Sequence, residues 1–91
     1  MPLTVTGRLI CPSAEARDAL VPAVREHIRL TQAEPGCLGF DIRPDPADAT
    51  AFLVEEAFVD RPAFDAHQAR MQATGWPALT ADVVRDLRIA E

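Results

Sequence analysis

Lysine and tyrosine are both absent from this 91-residue chain. Without lysine there is no side-chain amine to form a Schiff base, and without tyrosine no phenol can serve as an acid or radical relay. All nine basic residues are arginines, set against fourteen carboxylates for a formal net charge of −5. That balance speaks against nucleic acid and against an anionic membrane surface, since both select basic faces. Only two cysteines occur, Cys11 and Cys37, without C-x-x-C spacing. The two histidines, His27 and His67, lie far apart in sequence, so no metal centre of clustered ligands is expected. Scarce cysteine and the lack of a signal-like apolar run give the expectation of a reduced, cytoplasmic protein. No apolar stretch approaches the ~20 residues that cross a bilayer. Internal repeats and low-complexity segments are also missing.

What is present reads as one domain over residues 1–91. Hydrophobic residues make up 48% and charged residues 25%, ordinary for a globular fold. A chain this short buries only roughly 60–65% of its unfolded surface, which favours association with a second copy. Leu3 to Ile10 alternates like a strand, with Gly7 marking a bulge or a close approach by a ligand or another backbone. Ser13 is an N-cap for a helix to about Ala33, striped by Leu20, Val24, Ile28 and Thr31. Pro22 is expected to kink or split that helix. Glu34-Pro35-Gly36-Cys37 stops it. Leu38, Phe40 and Ile42 then alternate in a second strand, and a proline-rich turn leads into an antiparallel third.

That third strand begins the stretch on which the rest converges. Phe52, Val54, Glu56 and Phe58 share one face; Leu53, Glu55, Ala57 and Val59 share the other. Both faces look mostly apolar, so both are expected to be covered. Asp60 is an N-cap, Pro62 sits in the first turn, and Phe64, His67 and Met71 form an inward stripe on a second helix. A Gly-Trp-Pro break at Trp76 precedes a short helix to about Asp82 and a last strand from Val83 to Ala90. The order is β-α-β-β-α-β, an α+β, ferredoxin-like plan. Two helices cover one face of such a sheet. The expected cover for the other is the same sheet of a second copy, giving a homodimer.

The residues Glu34-Pro-Gly-Cys37, Phe52-Leu-Val-Glu-Glu-Ala-Phe58 and Ala63-Phe64-x-x-His67 resemble the antibiotic biosynthesis monooxygenase family. The resemblance covers most of the chain and is clearest over roughly 31–80. It implies a dimeric α+β barrel and oxidation of quinols or polycyclic phenols by O₂ with no cofactor. It also implies that Glu56 and His67 are the polar catalytic residues, with Glu56 orienting His67. Haem-degrading relatives of the fold carry a tryptophan at the position of His67, a histidine near Pro77 and an asparagine in the first strand, a set this chain lacks.

The substrate would be a small aromatic, with Trp76, Phe40, Phe52 and Phe64 as walls. Each assignment has a plainer alternative. His67 can be a structural histidine tying helix to sheet, and Glu56 half of an ion pair with an arginine. The phenylalanines can be core, with one or two lining a cavity. Arg8, Arg43 and Arg70 read as solvated charges, His27 as structural, Cys37 as a small buried hydrophobe and Cys11 as partly exposed. Fold alone does not separate an oxygenase from a non-catalytic ligand-binding or accessory protein, or from an isomerase or cyclase.

Overall fold

A computed structural model describes residues 1–91. The chain runs β1 (Leu3–Ile10), α1 (Ala14–Gln32), β2 (Cys37–Pro44), β3 (Ala51–Phe58), α2 (Arg61–Gln72), α3 (Trp76–Leu79) and β4 (Val84–Ala90). The sheet order is β2-β3-β1-β4, antiparallel throughout. This is the expected α+β, ferredoxin-like arrangement, with α3 shorter than its sequence suggested.

Local chemistry accounts for the helix starts. Ser13 accepts the Ala16 amide at 3.1 Å, and Asp60 accepts the Ala63 amide at 2.9 Å. Each such cap contributes on the order of 0.5–2 kcal/mol. Pro22 neither splits nor ends α1, which is continuous through it.

One face of the sheet is the core. Val5 and Leu9 of β1, Ile42 of β2, and Phe52, Val54 and Phe58 of β3 are buried there. α1 packs on β2 and β3, and α2 on β3. Burying each large side chain stabilises the fold by roughly 1.5–3 kcal/mol. β4 receives no such cover and is exposed along its whole length. Leu87 and Ile89 face the helix side, as expected, yet are 37% and 49% exposed.

Three expectations need correction. Leu38 does not share a face with Phe40 and Ile42. A bulge between Cys37 and Gly39 inserts it as an extra residue, and it is 61% exposed. The outer face of the sheet is not apolar: Thr6, Glu55 and Asp41 lie side by side across three strands. Arg43 bonds Asp41 at 3.0 Å and Glu55 at 3.4 Å there. Finally, Cys11 is buried and Cys37 half-buried, the reverse of the order expected; both are free thiols.

Candidate active site

A cavity of about 160 Å³ lies between the helix-covered face of the sheet and α2–α3. Its lining includes Glu56, Phe64, His67, Trp76 and Arg85, with Leu87 and Ile89 at the β4 side. The uncovered edge at β4 makes that side its mouth.

His67 is 2% exposed and lines the cavity, on a helix whose first turn packs against the turn after α1. Gly36 permits this approach: a Cβ there would fall 2.3 Å from the Cβ of Ala63. The close approach brings Glu34 to His67. Nδ1 of His67 bonds Oε1 of Glu34 at 2.7 Å and lies 3.1 Å from Oε2. A carboxylate only accepts, so Nδ1 carries a proton, and in the neutral ring Nε2 is the basic atom. Arg70 fixes the carboxylate from its other side, donating from Nε to Glu34 at 3.0 Å and from Nη2 to Thr31 Oγ1 at 3.1 Å. Thr31 in turn donates to the carbonyl of His27 at 2.7 Å. The network joins the end of α1 to α2.

The orienter of His67 is therefore Glu34, not Glu56. Glu34 stands at the end of α1, where sequence reading saw only a helix stop. The Glu-Pro-Gly turn that breaks the helix is also what aims this carboxylate. Arg70 belongs to the same network rather than to solvent.

Glu56 projects from β3 on the helix-covered face, opposite Val5 and Phe40 in register. No arginine pairs with it, because every ion pair of an arginine is made elsewhere. Burial and, to a lesser degree, the nearby Glu34 carboxylate push its pKa up to about 7. Near neutral pH it is thus an acid as often as a base, suited to proton exchange with a ligand.

Trp76 and Phe64 line the cavity; Phe40 and Phe52 do not. Phe52 is closed into the core. Phe40 lies edge-on to His27, with ring centroids 5.2 Å apart. His27 itself stacks on Trp76 at 4.2 Å with an interplanar angle of 10°. Burial first, then the neighbouring His67, Arg70 and Arg85, bring the pKa of His27 down to about 4. It is a neutral, flat support for the indole.

Glu56 and His27 make opposite contributions to stability as pH changes. The raised pKa of Glu56 gives a contribution that is full below pH 4.5 and is lost as pH rises to about 7. It amounts to on the order of 3 kcal/mol at the roughly 1.4 kcal/mol per pH unit of such linkage. The lowered pKa of His27 gives a contribution that is full above pH 6.5 and is lost as pH falls toward 4. Between pH 4.5 and 6.5 the two offset. Urea unfolding of wild type should vary little across that window. Glu56→Gln should lose stability as pH falls, and His27→Gln should gain it. Parallel pH profiles for all three proteins would contradict the assignment.

The model of a family described as "Antibiotic biosynthesis monooxygenase" matches residues 2–76, a span that includes Glu34, Glu56, His67 and Trp76. No curated protein matches the sequence. Among solved structures, one described as an antibiotic biosynthesis monooxygenase is 28% identical, with 99% of this chain and 94% of that chain covered and a TM-score of 0.77. A Mycobacterium tuberculosis protein is 23% identical over 99% of this chain and 91% of its own, with a TM-score of 0.78. A conserved protein of unknown function from Bacteroides thetaiotaomicron reaches a TM-score of 0.82 at 16% identity, over 99% of this chain and 96% of its own. The last two likenesses bear on the fold alone.

Proposed function

The chain belongs to the antibiotic biosynthesis monooxygenase family, and from that premise we propose that it is a cofactor-independent monooxygenase acting on quinols or related phenols. The observation that carries this reading is the pairing of two proton-handling groups on one mostly apolar cavity. His67 lines that cavity with its Nδ1 held by the Glu34 carboxylate, which leaves Nε2 as the ring atom free to meet a ligand. Glu56 lies in the same cavity with its pKa close to neutrality.

In the proposed reaction His67 Nε2 takes a hydroxyl proton from the quinol. The resulting phenolate is electron-rich enough to react with O₂. One oxygen atom enters the ring and the other leaves as water. All four electrons come from the substrate, so that a hydroquinone plus O₂ becomes a hydroxyquinone plus H₂O. Glu56 hands on the protons that this balance requires. Phe64, Trp76 and the aliphatic lining limit water at the ring. A cavity of about 160 Å³ suits one aromatic ring, since a cavity of roughly 150 Å³ holds benzene. A polycyclic phenol would extend outward through the mouth at β4.

We extend the proposal to a homodimer of the α+β-barrel type, supported by the uncovered outer face and by the exposed β4. Its interface would be largely polar, given Thr6, Asp41, Arg43 and Glu55 on that face. A monomeric mass in solution at micromolar concentration would overturn it.

The test of the activity is oxygen uptake with product analysis on a panel of hydroquinones, naphthohydroquinones and anthrones, with no metal or flavin added. Uptake above the uncatalysed rate, with an oxygen atom in the product, is the expected result. Saturable binding with no uptake for any member would favour a ligand-binding protein, and turnover independent of O₂ an isomerase or cyclase.

A further inference from the structure

Six of the nine arginines, Arg8, Arg17, Arg29, Arg43, Arg61 and Arg70, lie within ion-pair distance of a carboxylate. In a chain with five more acids than bases this is unsurprising. Arg25, Arg85 and Arg88 have no such partner. Of these three, Arg85 alone lines the cavity.

Its guanidinium is not loose. Nη2 donates to Thr80 Oγ1 at 2.6 Å, and Nη1 donates to the carbonyls of Thr80 and Val83 at 3.3 and 3.4 Å. Thr80 is fully buried, and its hydroxyl donates to the Trp76 carbonyl at 2.8 Å. All acceptors on Arg85 are neutral. The side chain is held in one place, yet its charge is left uncompensated beside the cavity. That charge is felt inside, where it contributes to keeping His27 unprotonated.

Position in the sheet separates Arg85 from the proton-handling groups. Arg85 pairs with Leu9 of β1, whereas Glu56 pairs with Val5. The two residues stand on different strands with β1 between them, displaced by four residues, or roughly 13 Å, along the strand direction. The cavity is polarised as a result. Glu56 makes the end near α2 the acidic one, and Arg85 makes the mouth at β4 positive. A phenolic hydroxyl belongs at the first end, and an anion at the second.

We propose that Arg85 is the anion-recognising end of this cavity and that the ligand is a hydroxylated aromatic ring bearing a carboxylate. The proposal rests on the quinol reading above and adds to it the charged substituent and its orientation. The ring lies inside with a hydroxyl toward His67 and Glu56. The carboxylate stays at the partly solvated mouth, where an arginine can bind it at least cost in desolvation.

The test is calorimetric binding under nitrogen, so that turnover plays no part, using 2,5-dihydroxybenzoate and its methyl ester. Wild type should prefer the carboxylate by at least about tenfold, the least expected of a hydrogen bond to a charged group. Arg85→Gln should reduce the preference to within about twofold. Arg85→Lys should retain part of it, and this separates loss of charge from loss of the Thr80 contacts. Equal affinities in wild type, an unchanged preference in Arg85→Gln, or no binding of the carboxylate at all would each overturn the proposal. Oxygen uptake by the same samples in air reads the other hypothesis separately. Carboxylate preference without uptake removes the oxygenase and leaves Arg85 in place, and uptake without preference does the reverse.

Discussion

Replacing His67 with alanine is expected to lower quinol-dependent oxygen uptake by about 10²–10⁴, the usual worth of a positioned general base. The size of the effect follows from how little else can replace it. Tyrosine and lysine are absent from the chain. His27 faces Trp76 and is kept neutral with a pKa of about 4, too weak a base for the task. Glu56 shares the cavity, but near neutral pH it is partly protonated. Glu34 acts only through His67. Its change to glutamine should therefore cost less than the loss of His67 and should shift the pH profile of the rate, because the amide no longer selects the Nδ1–H tautomer. A thermal melt on each variant distinguishes a lost base from a lost fold. A folded His67→Ala protein retaining more than about a third of wild-type uptake would remove His67 from the mechanism.

Gly7→Ala should be the most damaging single change to the fold. Gly7 has φ of +144°, a conformation that side chains rarely adopt, and holding alanine there costs roughly 1–3 kcal/mol. Space is the second obstacle. A Cβ at Gly7 would stand 2.1 Å from the Asp86 carbonyl oxygen and 3.0 Å from the Leu87 Cα. Both are backbone atoms of β4, so relief requires moving the strand. A domain of this size holds only on the order of 5–10 kcal/mol in total. The expected loss is at least about 3 kcal/mol, or a fall in melting temperature of at least about 12 °C. Because β4 carries Arg85, Leu87 and Ile89, ligand binding should weaken along with stability. A shift below about 4 °C would show that β4 yields freely.

Much of this was legible in the residues. The two caps, the inward stripe of α2 and the close approach at Gly7 all depend on neighbours within a few positions or on one backbone property. Periodicity and helix-end chemistry report such features directly. What escaped depends on pairing across long intervals. Glu34 and His67 are 33 residues apart, and nothing in either segment announces the other. The bulge at Leu38 has no local signature either; it exists because β2 must keep register with β3 while its first residues follow the turn after α1. Arg85 was invisible for a third reason. An arginine on an alternating strand reads as solvated, and only the absence of a carboxylate around it in space gives it meaning. The apolar appearance of both faces of β3 misled because it came from Leu53 and Ala57. Their cross-strand neighbours, which set the character of the face, are Arg8, Arg43, Thr4 and Gly39, none of them an apolar side chain.

The stacking of Trp76 on His27 has a practical consequence. Trp76 is the single tryptophan and no tyrosine accompanies it, so the protein's near-ultraviolet emission arises from one indole, and that indole is a cavity wall. Protonated imidazole quenches indole light, neutral imidazole far less. His27 therefore leaves the signal bright until the solution approaches pH 4. An aromatic guest should dim or shift the emission by contact. The molecule thus carries its own optical gauge of occupancy, readable without label or turnover, and a library of colourless phenols can be ranked by titration before any reaction is known.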